Sequence, residues 1–204
     1  YEALTNQRGA IVAMDPNTGG IIAMVSAPGY DTNLFVNGIS SVDYNALQNN
    51  PDLPLYNRAL QGQYPPASTI KPMWGLAGLH YGVVTPATRI ADPGWFSLPD
   101  DTVNLEQAVV QSCDVYFYEL AYKLGIDRLH SFGTRFGLGD VTGIDNTNER
   151  AGLMPSREWK EQSRGGHWYP GETINVGIGQ GFMLATPLQL AVATSVVASR
   201  GELR

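Results

Sequence analysis

Residues 10–14 (Ala-Ile-Val-Ala-Met) and 21–25 (Ile-Ile-Ala-Met-Val) are nearly continuous apolar runs joined by Asp15-Pro-Asn-Thr-Gly-Gly20. Five apolar residues are too few for a stable helix, and Asp-Pro and Gly-Gly are turn formers, so the pair predicts a β-hairpin over residues 9–26. Neither run alternates apolar with polar residues, as a strand with one wet face would. The hairpin is therefore expected at the centre of a sheet covered on both faces. A two-stranded ribbon is marginal by itself, so more strands are needed, and the remaining sequence does not supply them.

Beyond the hairpin the chain reads as loops and helices. Residues 27–66 are rich in Asn, Asp, Gly and Pro, with one short helix expected near 42–47. From Ser68 the pattern turns helical to about Tyr81 and stops at Gly82, with Pro72 tolerated in the first turn. Residues 85–101 form a turn-rich connection. Asn104 with Gln107 makes a capping box for a helix to about Gln111. Residues 115–124 are apolar nearly all round and predict a buried helix ending at Gly125, while Ile126, Leu129, Phe132 and Phe136 mark one face of a further helix. Residues 137–172 are expected to be irregular, and Thr186-Pro187 opens a last helix to about Ala198. The fold class is α/β of the α+β type, an antiparallel sheet flanked by helices.

Charge and composition exclude several partners. Lys and Arg number 13 against 19 Asp and Glu, a net charge of −6, with no basic cluster, so nucleic acid is not an expected partner. The longest apolar stretch, residues 188–198, is interrupted by Gln189, Thr194 and Ser195 and falls short of the roughly 20 residues of a membrane span. With 16% charged residues, 23 Gly and 13 Pro, the chain is a loop-rich folded domain rather than coiled coil, collagen or disorder. The single cysteine, Cys113, permits no internal disulfide. Because the first residues run straight into a strand, the chain is expected to be cut from a longer protein.

Two short constellations carry chemistry. In Ser68-Thr-Ile-Lys71 a hydroxyl precedes a lysine by one helical turn, close enough for direct contact. A serine becomes nucleophilic when a base takes its proton, and a lysine serves as that base if burial or a cationic neighbour lowers its pKa. Tyr64-Pro-Pro-Ala67 and Pro72 give this serine a rigid approach to a helix start, where the helix dipole favours an alkoxide. In Ser112-Cys-Asp114 the hydroxyl can relay a proton and the carboxylate can pair with an ammonium, although Ser and Asp are equally at home as helix caps. His80, His130 and His167 stand at no metal-ligand spacing, and Gly177-Ile-Gly-Gln-Gly181 lacks dinucleotide spacing and reads as a tight turn, so no cofactor or metal is expected.

Together, Gln63-Tyr-Pro-Pro-Ala-Ser-Thr-Ile-Lys-Pro72, Ser112-Cys-Asp114, Trp168-Tyr-Pro-Gly-Glu-Thr-Ile-Asn-Val-Gly-Ile-Gly-Gln-Gly181 and Ala185-Thr-Pro-Leu-Gln-Leu-Ala191 resemble a class B penicillin-binding protein. Ala13-Met-Asp-Pro-Asn-Thr-Gly19 and Ala23-Met-Val-Ser-Ala-Pro-Gly-Tyr30 fit the same family. Asp92-Pro-Gly-Trp95, Gly143-Ile-Asp145 and Met154-Pro-Ser-Arg-Glu-Trp159 resemble its penicillin-binding protein 2 branch, found in Gram-negative rods.

The resemblance implies the penicillin-binding, serine β-lactamase-like transpeptidase fold and a peptidoglycan DD-transpeptidase. It makes Ser68 the acylated nucleophile, Lys71 its base, and Ser112 with Asp114 the second motif. Residues 1–204 would be a partial transpeptidase domain, a hairpin followed by a mostly helical region over 68–200. The Lys-Thr-Gly motif and the C-terminal strands would lie beyond Arg204. Two local departures are Asp114, where many relatives carry Asn, and a link from Trp95 to Asn104 that is short, as though residues between Pro99 and Val103 were left out.

The implied partners are stem peptides ending in D-Ala-D-Ala, β-lactam antibiotics, a polymerising glycosyltransferase and rod-complex scaffold proteins. The implied location is the periplasmic face of the inner membrane, with an anchoring segment outside this chain. A serine β-lactamase and a β-lactam sensor domain are the competing readings, separated from the transpeptidase by the fate of the acyl-enzyme.

Overall fold

The structure is a computed structural model and describes residues 2–92 and 102–203. In chain order its elements are β1 (Gly9–Met14), β2 (Ile21–Ala27), α1 (Ser41–Gln48), α2 (Lys71–His80), β3 (Ile90–Ala91), β4 (Thr102–Val103), α3 (Leu105–Val110), α4 (Asp114–Thr134), α5 (Arg157–Arg164), α6 (Pro170–Gly177) and α7 (Pro187–Ala198). They fall into two compact units. One comprises Tyr1–Gln63, Val141–Arg150 and Thr186–Arg204, the other Tyr64–Asp140 and Ala151–Ala185.

In the first unit β1 and β2 pair antiparallel from Gly9 opposite Ala27 to Met14 opposite Ile21, with a bulge between Ala13 and Met14. The turn closes through Asp15, whose N–H donates to Gly20 O and whose carbonyl accepts from Gly19 N–H, both at 2.9 Å, while its carboxylate accepts from Asn17 N–H. Val12, Met14, Ile21 and Met24 pack on a core of Leu60, Leu188 and Val192 together with Ile144. α7 supplies two of those residues, and it starts with a capping box between Thr186 and Gln189 and Pro187 at the head of the helix.

The hairpin departs from the expected doubly covered sheet. Ile11 is 41% and Ile22 72% exposed, so among the described residues the hairpin is covered on one face only. The bulge explains part of this: it places one extra residue, Ile22, outside the regular alternation of the pair.

The second unit is built on α4, which packs against both α2 and α6. Trp74, Tyr116, Phe117, Leu120, Ile126 and Leu129 are almost fully buried, and the Trp74 indole donates to Val176 O at 3.0 Å. Gly125, at φ 74 and ψ 160, breaks α4 into two helical stretches, where two successive helices were expected. α3 starts with the expected box between Asn104 and Gln107.

Two further expectations fail. Within the turn-rich connection, Ile90–Ala91 and Thr102–Val103 pair as a short antiparallel ladder; residues 93–101, with most of Asp92-Pro-Gly-Trp95 and of the short link to Asn104, lie outside the described residues. Residues 137–172 are not irregular throughout, because they hold α5 and the first turn of α6. α5 reads Arg-Glu-Trp-Lys-Glu-Gln-Ser-Arg, and with Trp159 its only apolar residue it offers no hydrophobic period to read. Its signals are the caps: Ser156 Oγ accepts from Trp159 N–H at 3.0 Å, and Gly165 stands in the left-handed conformation after the last turn.

Candidate active site

Ser68 belongs to a 3-10 turn, Ala67–Ile70, and the α-helix proper begins at Lys71. The sequence expectation that the helix starts at Ser68 shifts by one turn, since Pro72 has no N–H to give and the first bond closing the turn runs from Lys71 N–H to Ser68 O.

The lead-in to Ser68 is held by a neighbouring segment. Tyr64 and Ala185 exchange backbone hydrogen bonds of 3.0 and 2.9 Å, and Ala67 N–H donates to Gly179 O at 2.9 Å. Gly179 sits at φ +70, and a Cβ there would lie 2.3 Å from Ala67 O, so this position has to be glycine. The glycine run read as a tight turn thus serves as a close backbone approach to the residue before Ser68, which itself remains exposed.

Lys71 is 1% exposed. Its ammonium donates to Ser112 O at 2.7 Å, to Ser112 Oγ at 3.0 Å and to Asp114 Oδ1 at 2.5 Å, which uses all three of its hydrogens. The Phe117 ring lies 5.5 Å from the same ammonium. Among the described residues Lys71 makes no hydrogen bond to the Ser68 hydroxyl; its three hydrogens go to Ser112 and Asp114.

The turn between α3 and α4 presents this oxygen set. Ser112 is held at φ 54, with its N–H donating to Val109 O, which aims its carbonyl at Lys71. Cys113 Sγ accepts from Tyr116 N–H at 3.4 Å and caps α4. Asp114 is the first residue of α4, where the helix dipole favours a carboxylate, and its side chain is 51% exposed.

Cys113, given no role by the sequence, donates from its thiol to Asp92 Oδ2 at 3.0 Å. Burial pushes this thiol up from its ordinary 9.0, and the hydrogen bond to Asp92 pushes it further, which favours the protonated thiol over the reactive thiolate.

The histidines are elsewhere. His80 closes α2 against Tyr81 and Phe132, His130 Nδ1 lies 3.2 Å from Met154 O, and His167 sits in an exposed loop. Of the four residues singled out from sequence, Lys71, Ser112 and Asp114 meet in one hydrogen-bonded cluster, and Ser68 stands one turn before Lys71.

The penicillin binding protein transpeptidase domain matches residues 9–204. The chain belongs to this family. The Acinetobacter baumannii peptidoglycan D,D-transpeptidase MrdA is 51% identical over 98% of this chain, and this chain spans 32% of that protein's length. The crystal structure of Pseudomonas aeruginosa PBP2 in complex with WCK 5153 superimposes with a TM-score of 0.94 at 54% identity, covering 98% of this chain and 47% of that one. The complex between Helicobacter pylori PBP2 and MreC superimposes at 0.91 with 34% identity, covering 98% and 39%. The chain has the transpeptidase fold of this family and spans about a third of the length of the curated relatives it matches. None of the helices described is long and apolar enough to cross a membrane.

Proposed function

We propose that the protein is a serine-type peptidoglycan DD-transpeptidase of the penicillin-binding protein 2 branch. The observation that carries this reading is the convergence on the Lys71 ammonium of Ser112 and Asp114, 41 and 43 residues away in sequence, one turn from an exposed serine. Once the Lys71 ammonium has given up one proton to solvent, Ser68 Oγ attacks the carbonyl of the penultimate D-Ala of a stem peptide as its own proton passes to the neutral Lys71 amine, forming the ester acyl-enzyme. The terminal D-Ala leaves as an amine protonated through the Lys71–Ser112 relay. An amine from a neighbouring stem peptide then attacks the ester, and Ser68 recovers its proton, so that two acyl transfers replace one difficult step.

Asp114 serves to hold the ammonium and the Ser112 hydroxyl in register. A β-lactam presents a strained amide to the same serine and leaves it acylated. The whole protein acts on the periplasmic face of the inner membrane, with a polymerising glycosyltransferase and rod-complex scaffold proteins as partners. The Helicobacter pylori relative solved together with MreC supports the scaffold part of this reading.

The test is covalent labelling of the full-length protein with a fluorescent penicillin. Ser68→Ala is expected to abolish labelling, because the members of such a unit fail together, and to leave the melting temperature unchanged, since Ser68 is exposed. Labelling of the variant at the wild-type rate overturns the reading.

A further inference from the structure

A second lysine of the same unit is buried away from this cluster. Lys160, in the middle of α5, is 6% exposed, and its ammonium donates to both oxygens of Glu172 at 2.5 and 2.6 Å. The cation also lies 4.6 Å from the centre of the Tyr169 ring, 5.9 Å from Trp168 and 6.0 Å from Phe182, so three aromatic rings and a carboxylate enclose it.

An ion pair taken out of water is a weak source of stability compared with apolar packing, but it fixes the groups it joins to one geometry. What those groups hold is the lead-in to Ser68. Glu172 is the third residue of α6 and also accepts from Tyr169 N–H at 2.7 Å, so it sets the start of that helix. Phe182 lies on the segment leaving α6, between Gly179, which accepts from Ala67 N–H, and Ala185, which pairs with Tyr64. The two grips on residues 64–67 therefore flank the ring that faces Lys160. Phe182 also packs at a tilt of 59° against Trp159 of α5, with ring centroids 5.3 Å apart, which ties the same segment to the same helix.

We propose that Lys160 is a positioning residue for Ser68: through Glu172 and Phe182 it holds residues 172–185 in the setting that fixes the backbone approach to the nucleophile. The proposal rests on the acyl-transfer reading of Ser68. It differs from a purely structural role in what it says about rate. A displaced lead-in leaves the binding surface for the antibiotic in place but misaligns the attacking hydroxyl, so the limiting acylation rate falls while the apparent binding constant does not.

The experiment is stopped-flow acylation of the full-length protein by a fluorescent penicillin, with the binding constant and the limiting rate resolved separately and a melting curve for each variant. Lys160→Met is expected to lower the limiting rate by about 10- to 100-fold, the range found when a reacting group is misplaced from a distance. Lys160→Met combined with Glu172→Leu removes both charges; it is expected to regain the melting temperature but not the rate, and it decides the matter alone if the single variant does not fold. Lys160→Arg, which keeps a cation among the rings, is expected to stay within a few-fold of wild type.

A double variant with the wild-type limiting rate overturns the proposal, as does a loss that appears in the binding constant only or that follows a lowered melting temperature in the double variant. Wild type and Ser68→Ala are run alongside. A wild-type protein that is not acylated overturns the reading of Ser68 instead, so the two failures are told apart.

Discussion

Lys71 and Lys160 are both buried, both paired with a carboxylate at 2.5 Å and both within reach of aromatic rings, yet their surroundings are chemically opposite. Beyond its carboxylate, Lys71 meets oxygens, and one of them, the Ser112 hydroxyl, has a hydrogen of its own to pass on. Beyond its carboxylate, Lys160 meets ring faces, which accept a cation but exchange no proton. The carboxylates differ as well: Asp114 stands half in water, while Glu172 is largely covered. Burial and pairing therefore do not by themselves mark a catalytic lysine; the atoms filling the remaining directions around the ammonium do.

Arginine at each position puts the largest strain on this contrast. Arginine keeps the charge but does not release its proton in a protein, so Lys71→Arg is expected to slow penicillin acylation by roughly 10²-fold or more, as for loss of a general base, and to be nearly as damaging as Lys71→Ala. At position 160 the same change is expected to be mild. Equal losses in stopped-flow acylation would erase the distinction between a proton-transfer lysine and a positioning one.

A smaller effect separates the carboxylates. The amide oxygen of Asp114→Asn still accepts from Lys71, so acylation is expected to stay within about tenfold of wild type, a difference of roughly 1.4 kcal/mol in the barrier. Asp114→Leu leaves the buried ammonium short of a partner and is expected to lose far more. An Asn variant as inactive as Ser68→Ala would give Asp114 a proton-transfer role.

The smallest expected change concerns stability against pH. Burial pushes the Glu172 carboxyl up, but the Lys160 hydrogen bond, the Tyr169 N–H and the Lys160 charge outweigh it and hold the group below its ordinary 4.5. A carboxyl whose native value lies below its unfolded value adds stability that is complete above 4.5 and is lost as the pH falls through the native value. Melting temperatures of Glu172→Gln are thus expected to fall less steeply than wild type on acidification below 4.5, and parallel acid limbs would remove Glu172 from the account.

Much of this molecule can be read from local signals. The hairpin, the capping box at Asn104, the Thr186-Pro187 start of α7 and the break at Gly125 each rest on residues close together in sequence, where turn and cap chemistry act directly. α5 escapes because its single apolar residue gives no period, and only Ser156 and Gly165 announce its ends. The exposed second face of the hairpin escapes for another reason: an apolar run says that a strand is adhesive, not how many layers meet it. At the site, Ser68, Lys71, Ser112 and Asp114 are identifiable as residue types. That Lys71 turns to Ser112 and Asp114 rather than to Ser68 depends on how α2 packs against α4, and no spacing rule reaches across two helices. Gly179 against Ala67 is the same kind of fact.

Ala67 at φ 50 and Ser112 at φ 54 lie on either side of the reacting groups, and neither is a glycine. A left-handed backbone at such residues is held at a cost of about 1–3 kcal/mol each, which is sizeable against a domain stability of roughly 5–15 kcal/mol. Both residues are exposed and are kept in that conformation by backbone hydrogen bonds, Ala67 N–H to Gly179 O and Ser112 N–H to Val109 O, like a drawn spring on each side of the site. Loss of those bonds is expected to release the two turns before the helices melt, so that on heating the acylation rate falls at a lower temperature than the helical circular dichroism.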